Sequence, residues 1–228
     1  RQNRLCVISQ NKTNVKVLYP RRNSFHYDSF IPSSEFYSIL TSQILQEINL
    51  PPTNISSSTP SDTGTLSQAL SKALCIINRQ LQCIPGLLGK IFVLQLTKDN
   101  HMHYNAMMNS IFSAQKLGIL VDAIMLGKHD SSFLQQACHL TDGLYLRPSD
   151  YSIEREREGE KELLQLLLTF ILPDSSVRKL LRLPKQSSVD FRASCFCHGQ
   201  ATEFVHMCSV CLALTCTAPL SLSLSSVV

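Results

Sequence analysis

Five of the nine cysteines lie close together near the C-terminal end of the chain, at spacings typical of metal ligands. Cys195 and Cys197 form a C-x-C pair, and after ten intervening residues Cys208 and Cys211 form a C-x2-C pair. Zn²⁺ takes four soft ligands at the corners of a tetrahedron, and two short-spaced pairs on opposed turns supply them. The spacing therefore predicts one zinc ion bound by these four thiolates.

Two further residues leave the ligand set of this predicted site open. His198 can replace Cys197 as the second ligand, because Cys195 and His198 form a C-x2-H pair. Cys216 is left over, and the residues after it, TAPLSLSLSSVV, contain no metal ligand with which to build a second site. A zinc ion with four protein ligands has no coordination position for water, so the predicted site stabilises the fold and does not catalyse a reaction.

The remaining cysteines and the charge indicate the class of protein. The other cysteines are Cys6, Cys75, Cys83 and Cys138. Each lies alone in an apolar run, where a free thiol packs as a small hydrophobic side chain. The odd, uneven set, without a signal peptide, predicts a reducing compartment. The formal net charge of +4 is thinly spread, and direct DNA binding is not predicted. Basic residues come together only at Arg21-Arg22 and in a weak cluster near Arg178, Lys179, Arg182 and Lys185.

Before the cysteine-rich stretch, apolar runs alternate with helical patterns. The runs Leu5–Ile8 and Val15–Leu18 predict a β-hairpin. Apolar residues at helical spacing predict helices over 36–48, 66–79, 104–112, 134–138 and 162–172. Continuous apolar runs predict buried strands over 91–96, 119–126 and 143–146. This alternation predicts an α/β fold with a mostly parallel sheet and helices on both faces.

The helix predicted over 162–172 is apolar nearly all round, which suits a helix that packs on two sides. We expect one side to face the core and the other to face a partner subunit. Pro173 and Pro184 mark the linker that follows. The predicted organisation is an α/β domain over 1–172, a linker over 173–190, a zinc module over 191–216 and a divergent tail over 217–228.

Weaker candidates for chemistry have simpler interpretations. His101 and His103, just past Asp99, are interpreted as surface histidines. The Thr141–Gly143 segment is interpreted as a turn into a strand. The sequence contains no G-x-S-x-G, Walker or dinucleotide-binding motif. No enzymatic activity is predicted.

Three segments resemble one family. Leu134–Leu146 resembles the end of a von Willebrand A domain, where a short helix leads through a T-x-G turn into the last strand. Phe112–Lys116 and Gly118–Asp122 resemble the preceding helix and strand. The stretch VDFRASCFCH, followed by CSVC, is similar to the family of general transcription factor IIH (TFIIH) core subunits that join an A-type domain to a C4 zinc finger. The similarity runs through nearly the whole chain.

The resemblance implies a von Willebrand A-like (Rossmann-like) sheet, a structural Zn²⁺ and a nuclear location. It also implies a non-catalytic scaffold role in transcription initiation by RNA polymerase II and in nucleotide excision repair. The expected partners are the other TFIIH core subunits, especially the larger A-domain/zinc-finger subunit. Contact with DNA is expected only through the complex, and no membrane or small-molecule substrate is expected.

The sequence departs from the family pattern at both ends. The first strand of the A-type fold, which carries the Asp-led metal loop of metal-binding relatives, is missing. Without it we expect no Mg²⁺ site near Asp99 or the threonines Thr63 and Thr65. The family pattern also continues past Cys216 with another cysteine pair, so the chain resembles a truncated form.

Two other classes of function compete with this interpretation. A RING-type ubiquitin ligase needs eight ligands for two zinc ions, and the module offers five cysteines with His198 and His206. An extracellular adhesion domain that binds its ligand through Mg²⁺ needs the missing first metal loop and a signal peptide.

Overall fold

The computed structural model describes residues 4–11, 14–19, 33–48, 66–100, 103–127, 129–148, 159–173, 175–184, 189–198, 200–208 and 214–216. Cys211, His101, the two threonines and the predicted tail 217–228 lie outside these residues. The chain divides into two compact units, residues 1–76 and 77–228.

The first unit contains the predicted hairpin. Strands β1 (Val7–Gln10) and β2 (Val15–Tyr19) pair antiparallel, with Gln10 opposite Val15. Helix α1 spans Ser33–Ile48, and helix α2 (Leu66–Cys83) begins in this unit. The Lys72 ammonium of α2 donates a hydrogen bond to the Val15 carbonyl at 2.8 Å, which ties α2 to the hairpin.

The second unit is built on a parallel sheet. Strand β4 (Leu120–Met125) lies between β3 (Lys90–Gln95) and β5 (Tyr145–Leu146), and both pairings are parallel. The continuous apolar character of β4 agrees with its burial from Val121 to Met125. The predicted parallel α/β arrangement is therefore confirmed for this sheet.

Helices join and follow the strands of the sheet. Helix α3 (Tyr104–Lys116) connects β3 to β4, and α4 (Ser132–Leu140) connects β4 to β5. Helix α5 (Gly159–Leu166) continues as a π-helical segment over Leu167–Ile171. A single turn, α6 (Ser175–Arg178), follows, and four two-residue strands then form the cysteine-rich stretch.

The turn between α4 and β5 explains the Thr-Asp-Gly sequence. Asp142 adopts a left-handed backbone with φ of 55°. A Cβ on Gly143 would lie 1.8 Å from the Val121 carbonyl oxygen, so only glycine allows this close approach to β4. The Thr141 hydroxyl accepts a hydrogen bond from the Val121 N–H at 3.1 Å. The interpretation of this segment as a structural turn is confirmed.

A buried carboxylate lies at the centre of the sheet. Asp122 of β4 is 0% exposed, although an isolated charge in such a position is very unfavourable. The Arg178 guanidinium contacts both carboxylate oxygens, with Nη1 donating to Oδ1 at 3.0 Å and Nη2 to Oδ2. The Lys90 ammonium lies 2.9 Å from Oδ2. The Leu144 N–H donates to Oδ1 at 2.8 Å, so one carboxylate links all three strands to α6.

The same cations hold the end of the π-helical segment. Arg178 Nη2 also donates to the Phe170 carbonyl at 2.8 Å, and Lys90 Nζ donates to the Ile171 carbonyl. Carbonyls at a helix C-terminus lack partners within the helix, and these side chains supply them. Below this contact, Ile171 packs with Ile124, Leu144 and Leu146 in the core. Arg178 belongs to the weak basic cluster seen in the sequence, but it is buried in an ion pair and does not contribute to a basic surface.

Removing Arg178 should destabilise the fold, because the buried Asp122 carboxylate loses a cationic partner. In Arg178→Ala the Asp122 carboxylate keeps only Lys90 as a cationic partner, so we expect the free energy of unfolding to fall by about 3–5 kcal/mol. Urea-induced unfolding of the purified chain measures this change. Arg182→Ala, at an exposed arginine nearby, is the matched control and should change stability by less than about 0.5 kcal/mol. Equal effects in the two variants would contradict the role given to the ion pair.

Candidate metal centre

The cysteine-rich stretch folds as two very short hairpins. Strands β6 (Ala193–Ser194) and β7 (Ala201–Thr202) form the first, and β8 (His206–Met207) and β9 (Leu214–Thr215) form the second. Two-residue ladders bury little apolar surface, and an isolated hairpin is only marginally stable in water. An additional cross-link is therefore expected to hold these hairpins together.

A tight turn between β6 and β7 carries the first ligand candidates. The Cys195 N–H donates to the Gln200 carbonyl at 2.9 Å and closes the turn. The Phe196 N–H donates to the Leu214 carbonyl at 2.7 Å, which places the turn beside β9. The first hairpin thus presents Cys195, Cys197 and His198 toward the second.

Three potential ligand atoms converge where the hairpins meet. The ligand atoms of Cys195, His198 and Cys216 all lie within 4.8 Å of one another. Cys195 is buried, His198 is exposed and Cys216 is half-buried. The Gln200 N–H donates to Nδ1 of His198 at 3.3 Å and helps to orient the ring.

The Cys195 sulfur is a strong hydrogen-bond acceptor in this cluster. The N–H of Cys216 donates to it at 3.2 Å and the N–H of Cys197 at 3.4 Å. Burial of Cys195 opposes ionisation, yet these backbone hydrogen bonds and those from the two thiols leave the pKa of Cys195 below its ordinary value. The pKa of Cys197 is raised, because its thiol donates to Cys195 and because it is partly desolvated. The two backbone N–H donors at the Cys195 sulfur would also stabilise a thiolate at this position.

The geometry of these residues fits zinc. Ideal Zn–S and Zn–N bonds of about 2.3 and 2.0 Å place the ligand atoms of a tetrahedral site roughly 3.4–3.8 Å apart. Ligand atoms within 4.8 Å of one another need only small movements to reach that spacing. The donors are two thiols and an imidazole, which are the groups that zinc prefers. Bound zinc would supply a cross-link between the two hairpins.

The predicted ligands occupy different positions in this arrangement. Cys195 is at the centre of the cluster, and the exposed Cys197 is next to it. The half-buried Cys208 follows β8, and its sulfur does not lie within 4.8 Å of all three converging atoms. The set of four cysteines, whose last member is Cys211, stays a prediction. The structure brings His198, the alternative ligand, and Cys216, the cysteine left over, into the cluster.

The cysteine-rich stretch is attached to the sheet-containing body through α4. The Gln136 side chain, which is buried, donates to the Asp190 carbonyl at 2.6 Å. The rings of His139 and Phe191 meet edge to face with centroids 5.3 Å apart. No motif in the sequence indicated that α4 would contact Asp190 and Phe191, which lead into the cysteine-rich stretch.

Asp99, near which no Mg²⁺ site was expected, has a structural role at the start of α4. Its carboxylate accepts hydrogen bonds from the Ser131 hydroxyl at 2.8 and 2.9 Å and from the Phe133 N–H at 3.2 Å. The Gln95 side chain donates to it at 2.9 Å. Ser131 in turn caps α4 by accepting from the Leu134 N–H at 3.1 Å. Asp99 thus links the end of β3 to the N-terminus of α4.

None of the helices in the described part of the chain is both long enough and apolar enough to span a membrane.

Comparison with known proteins connects this fold and site to one family. A family model described as "Transcription factor Tfb4" matches residues 1–223. Subunit 3 of general transcription factor IIH from Dictyostelium discoideum is 43% identical over 154 residues, which are 68% of this chain and 39% of that protein. The TFB4 subunit of general transcription and DNA repair factor IIH from Arabidopsis thaliana is 41% identical over 66% of this chain and 48% of its own length. The chain thus spans less than half of these two relatives.

In two further comparisons the match covers a larger share of the other protein. The TFB4 subunit from Saccharomyces cerevisiae is 30% identical over 95% of this chain and 68% of its own length. The crystal structure of the TFIIH p34 N-terminal domain matches with a TM-score of 0.52 and 24% sequence identity, over 72% of this chain and 74% of that one. At this identity the structural match indicates a shared fold.

Stripping zinc from the protein should loosen the two short hairpins and leave the parallel sheet intact. A structural zinc site contributes about 10 kcal/mol or more to the folding of its segment, so we expect the amides of residues 193–216 to lose hydrogen-exchange protection after treatment with a strong chelator. The amides of β3 and β4 are the internal control and should stay protected. Unchanged protection of the hairpins after complete zinc removal would contradict a structural metal.

Proposed function

The chain belongs to the Tfb4 family of transcription factors, and on that basis we propose that it is a non-catalytic subunit of the TFIIH core. In this role it acts in the nucleus, in transcription initiation by RNA polymerase II and in nucleotide excision repair. The observation that carries the proposal is the family match over residues 1–223, together with relatives whose names are those of TFIIH subunits.

The structural use of its polar groups supports a scaffold role. Asp122, the most deeply buried carboxylate described, is neutralised by Arg178 and Lys90 at the centre of the sheet. Asp99 is engaged in capping α4. The ligand atoms of Cys195, His198 and Cys216 lie within 4.8 Å of one another, so a zinc ion bound there would cross-link the two hairpins. In each case the chemistry fixes the position of one element relative to another.

A surface for protein contacts is formed by the helix after the sheet. Leu163, Leu167 and Phe170 pack against the core, whereas Leu164 and Leu168 are 57% and 55% exposed. Leu172, one turn further on, is 69% exposed. Large apolar side chains that project together on one helix face are typical of protein-interaction sites. We define this face, Leu164, Leu168 and Leu172, as the leucine face and propose that it contacts another TFIIH core subunit, with the larger A-domain/zinc-finger subunit as the first candidate.

The runner-up function, a RING-type ubiquitin ligase, has less support. The relatives described above are named for TFIIH, and a RING needs eight ligands for two zinc ions. Two zinc ions in each chain together with ubiquitin transfer would be the observations that favour it.

The leucine face offers a direct test of the proposed role. In Leu168→Lys the folded core is unchanged because the side chain is exposed, but a desolvated ammonium would oppose an apolar contact. We therefore expect Leu168→Lys to lower co-purification of the tagged chain with TFIIH core subunits from nuclear extract by at least about tenfold, which corresponds to about 1.4 kcal/mol.

The control for this experiment lies on the same helix. Gln165→Lys introduces the same charge at an exposed position next to the leucine face and should leave co-purification unchanged. Circular dichroism should show equal folding in both variants. A wild-type chain that captures no TFIIH subunit would contradict the proposed function, and equal capture by both variants would exclude the leucine face.

A further inference from the structure

The second hairpin places its two described cysteines at opposite ends of its ladder. His206 pairs with Thr215 and Met207 pairs with Leu214. Cys208 directly follows β8, at the end that leads into the connecting loop, and Cys216 directly follows β9, at the open end. Strands rise about 3.3 Å per residue, so the two positions are separated by roughly 10 Å along the strand direction.

Strand alternation also assigns the two cysteines to different faces of the hairpin. Residues that pair directly share a face, and neighbours along a strand alternate between faces. Continued by one residue, β8 places Cys208 on the face of His206, and β9 places Cys216 on the face of Leu214. One tetrahedral zinc ion, with bonds of about 2.3 Å, does not bridge such positions without rearrangement of the hairpin.

The turn that carries Cys195 lies against the open end of this hairpin. The Cys216 N–H donates to the Cys195 sulfur at 3.2 Å, and the ligand atom of His198 lies within 4.8 Å of both sulfurs. The Cys197 N–H also donates to the Cys195 sulfur, as N–H groups do in short metal-binding turns.

We propose that the zinc ion is bound by Cys195, His198 and Cys216, whose ligand atoms converge, and that Cys208 does not bind this ion. The assignment rests on the zinc binding proposed above and revises the all-cysteine set that the sequence spacing predicts. It makes Cys216 a ligand whose role is to hold the open end of the second hairpin against the first.

The test compares zinc binding by matched single-cysteine variants of the full chain. The chain is purified from zinc-supplemented cells, and zinc content is measured by mass spectrometry of the metal. Cobalt is then exchanged into the site, because its absorption bands report sulfur ligation and tetrahedral geometry. The variants are Cys216→Ser and, as the matched control at the other end of the hairpin, Cys208→Ser.

We expect the wild type and Cys208→Ser to retain about one zinc ion per chain and the same cobalt spectrum, whereas Cys216→Ser loses the bound metal. Cys216→His, which keeps a ligand at the position, should restore zinc with a cobalt spectrum that shows one sulfur fewer. This rescue separates the loss of a ligand from a failure to fold. His198→Ala should weaken metal retention in the same way as Cys216→Ser.

Other results would overturn the assignment. Loss of zinc in Cys208→Ser with retention in Cys216→Ser would make Cys208 the ligand and exclude Cys216. Loss in both variants would show that the two ends of the hairpin share one ion, and loss in neither would remove both residues from the site. A wild-type chain without zinc would overturn this inference but not the proposed TFIIH role, since capture of TFIIH subunits is measured separately.

Discussion

A negative charge buried in the middle of a parallel sheet is the constraint around which the second unit is arranged. Asp122 is completely buried, so its carboxylate is tolerated only with cations and hydrogen-bond donors at close range. Arg178 comes from the end of α6, Lys90 from the start of β3 and the Leu144 N–H from the residue before β5. Because Asp122 and these three partners come from four separate parts of the chain, satisfying one carboxylate fixes the positions of all of them.

The cysteine-rich stretch is held together by a different kind of interaction. Its two hairpins are too short to bury a core of their own, and their position relative to α4 is set by the Gln136 hydrogen bond and by the contact between His139 and Phe191. The metal cross-link proposed at Cys195 would supply the stability that packing does not. The sheet-containing unit and the two short hairpins, with the leucine face between them in sequence, suit the proposed role of a subunit that acts by contacting other proteins.

The sequence predicts the helices and strands that follow a regular apolar pattern. It does not predict the contacts between residues that are far apart in the chain. The apolar runs that became β3 and β4 were predicted nearly to the residue, whereas β5 is shorter than predicted because Gly143 and Leu144 are used in the contact with β4. No local pattern in the sequence pointed to the pairing of Asp122 with Arg178, which lies 56 residues away. Likewise, ligand spacing favoured the Cys208 pair, while the contact between Cys195 and Cys216 spans 21 residues and depends on hairpin register.

The most direct test of this account is a double-mutant cycle on the buried pair, with Asp122→Leu, Arg178→Met and the combined variant compared with the wild type by urea unfolding. If the carboxylate is the constraint that positions its partners, each single replacement removes a partner from a buried charge, and the double variant should be more stable than the sum of the single effects predicts by roughly 2–3 kcal/mol. Effects that add to within about 0.5 kcal/mol would show that the two residues act independently and would contradict the account.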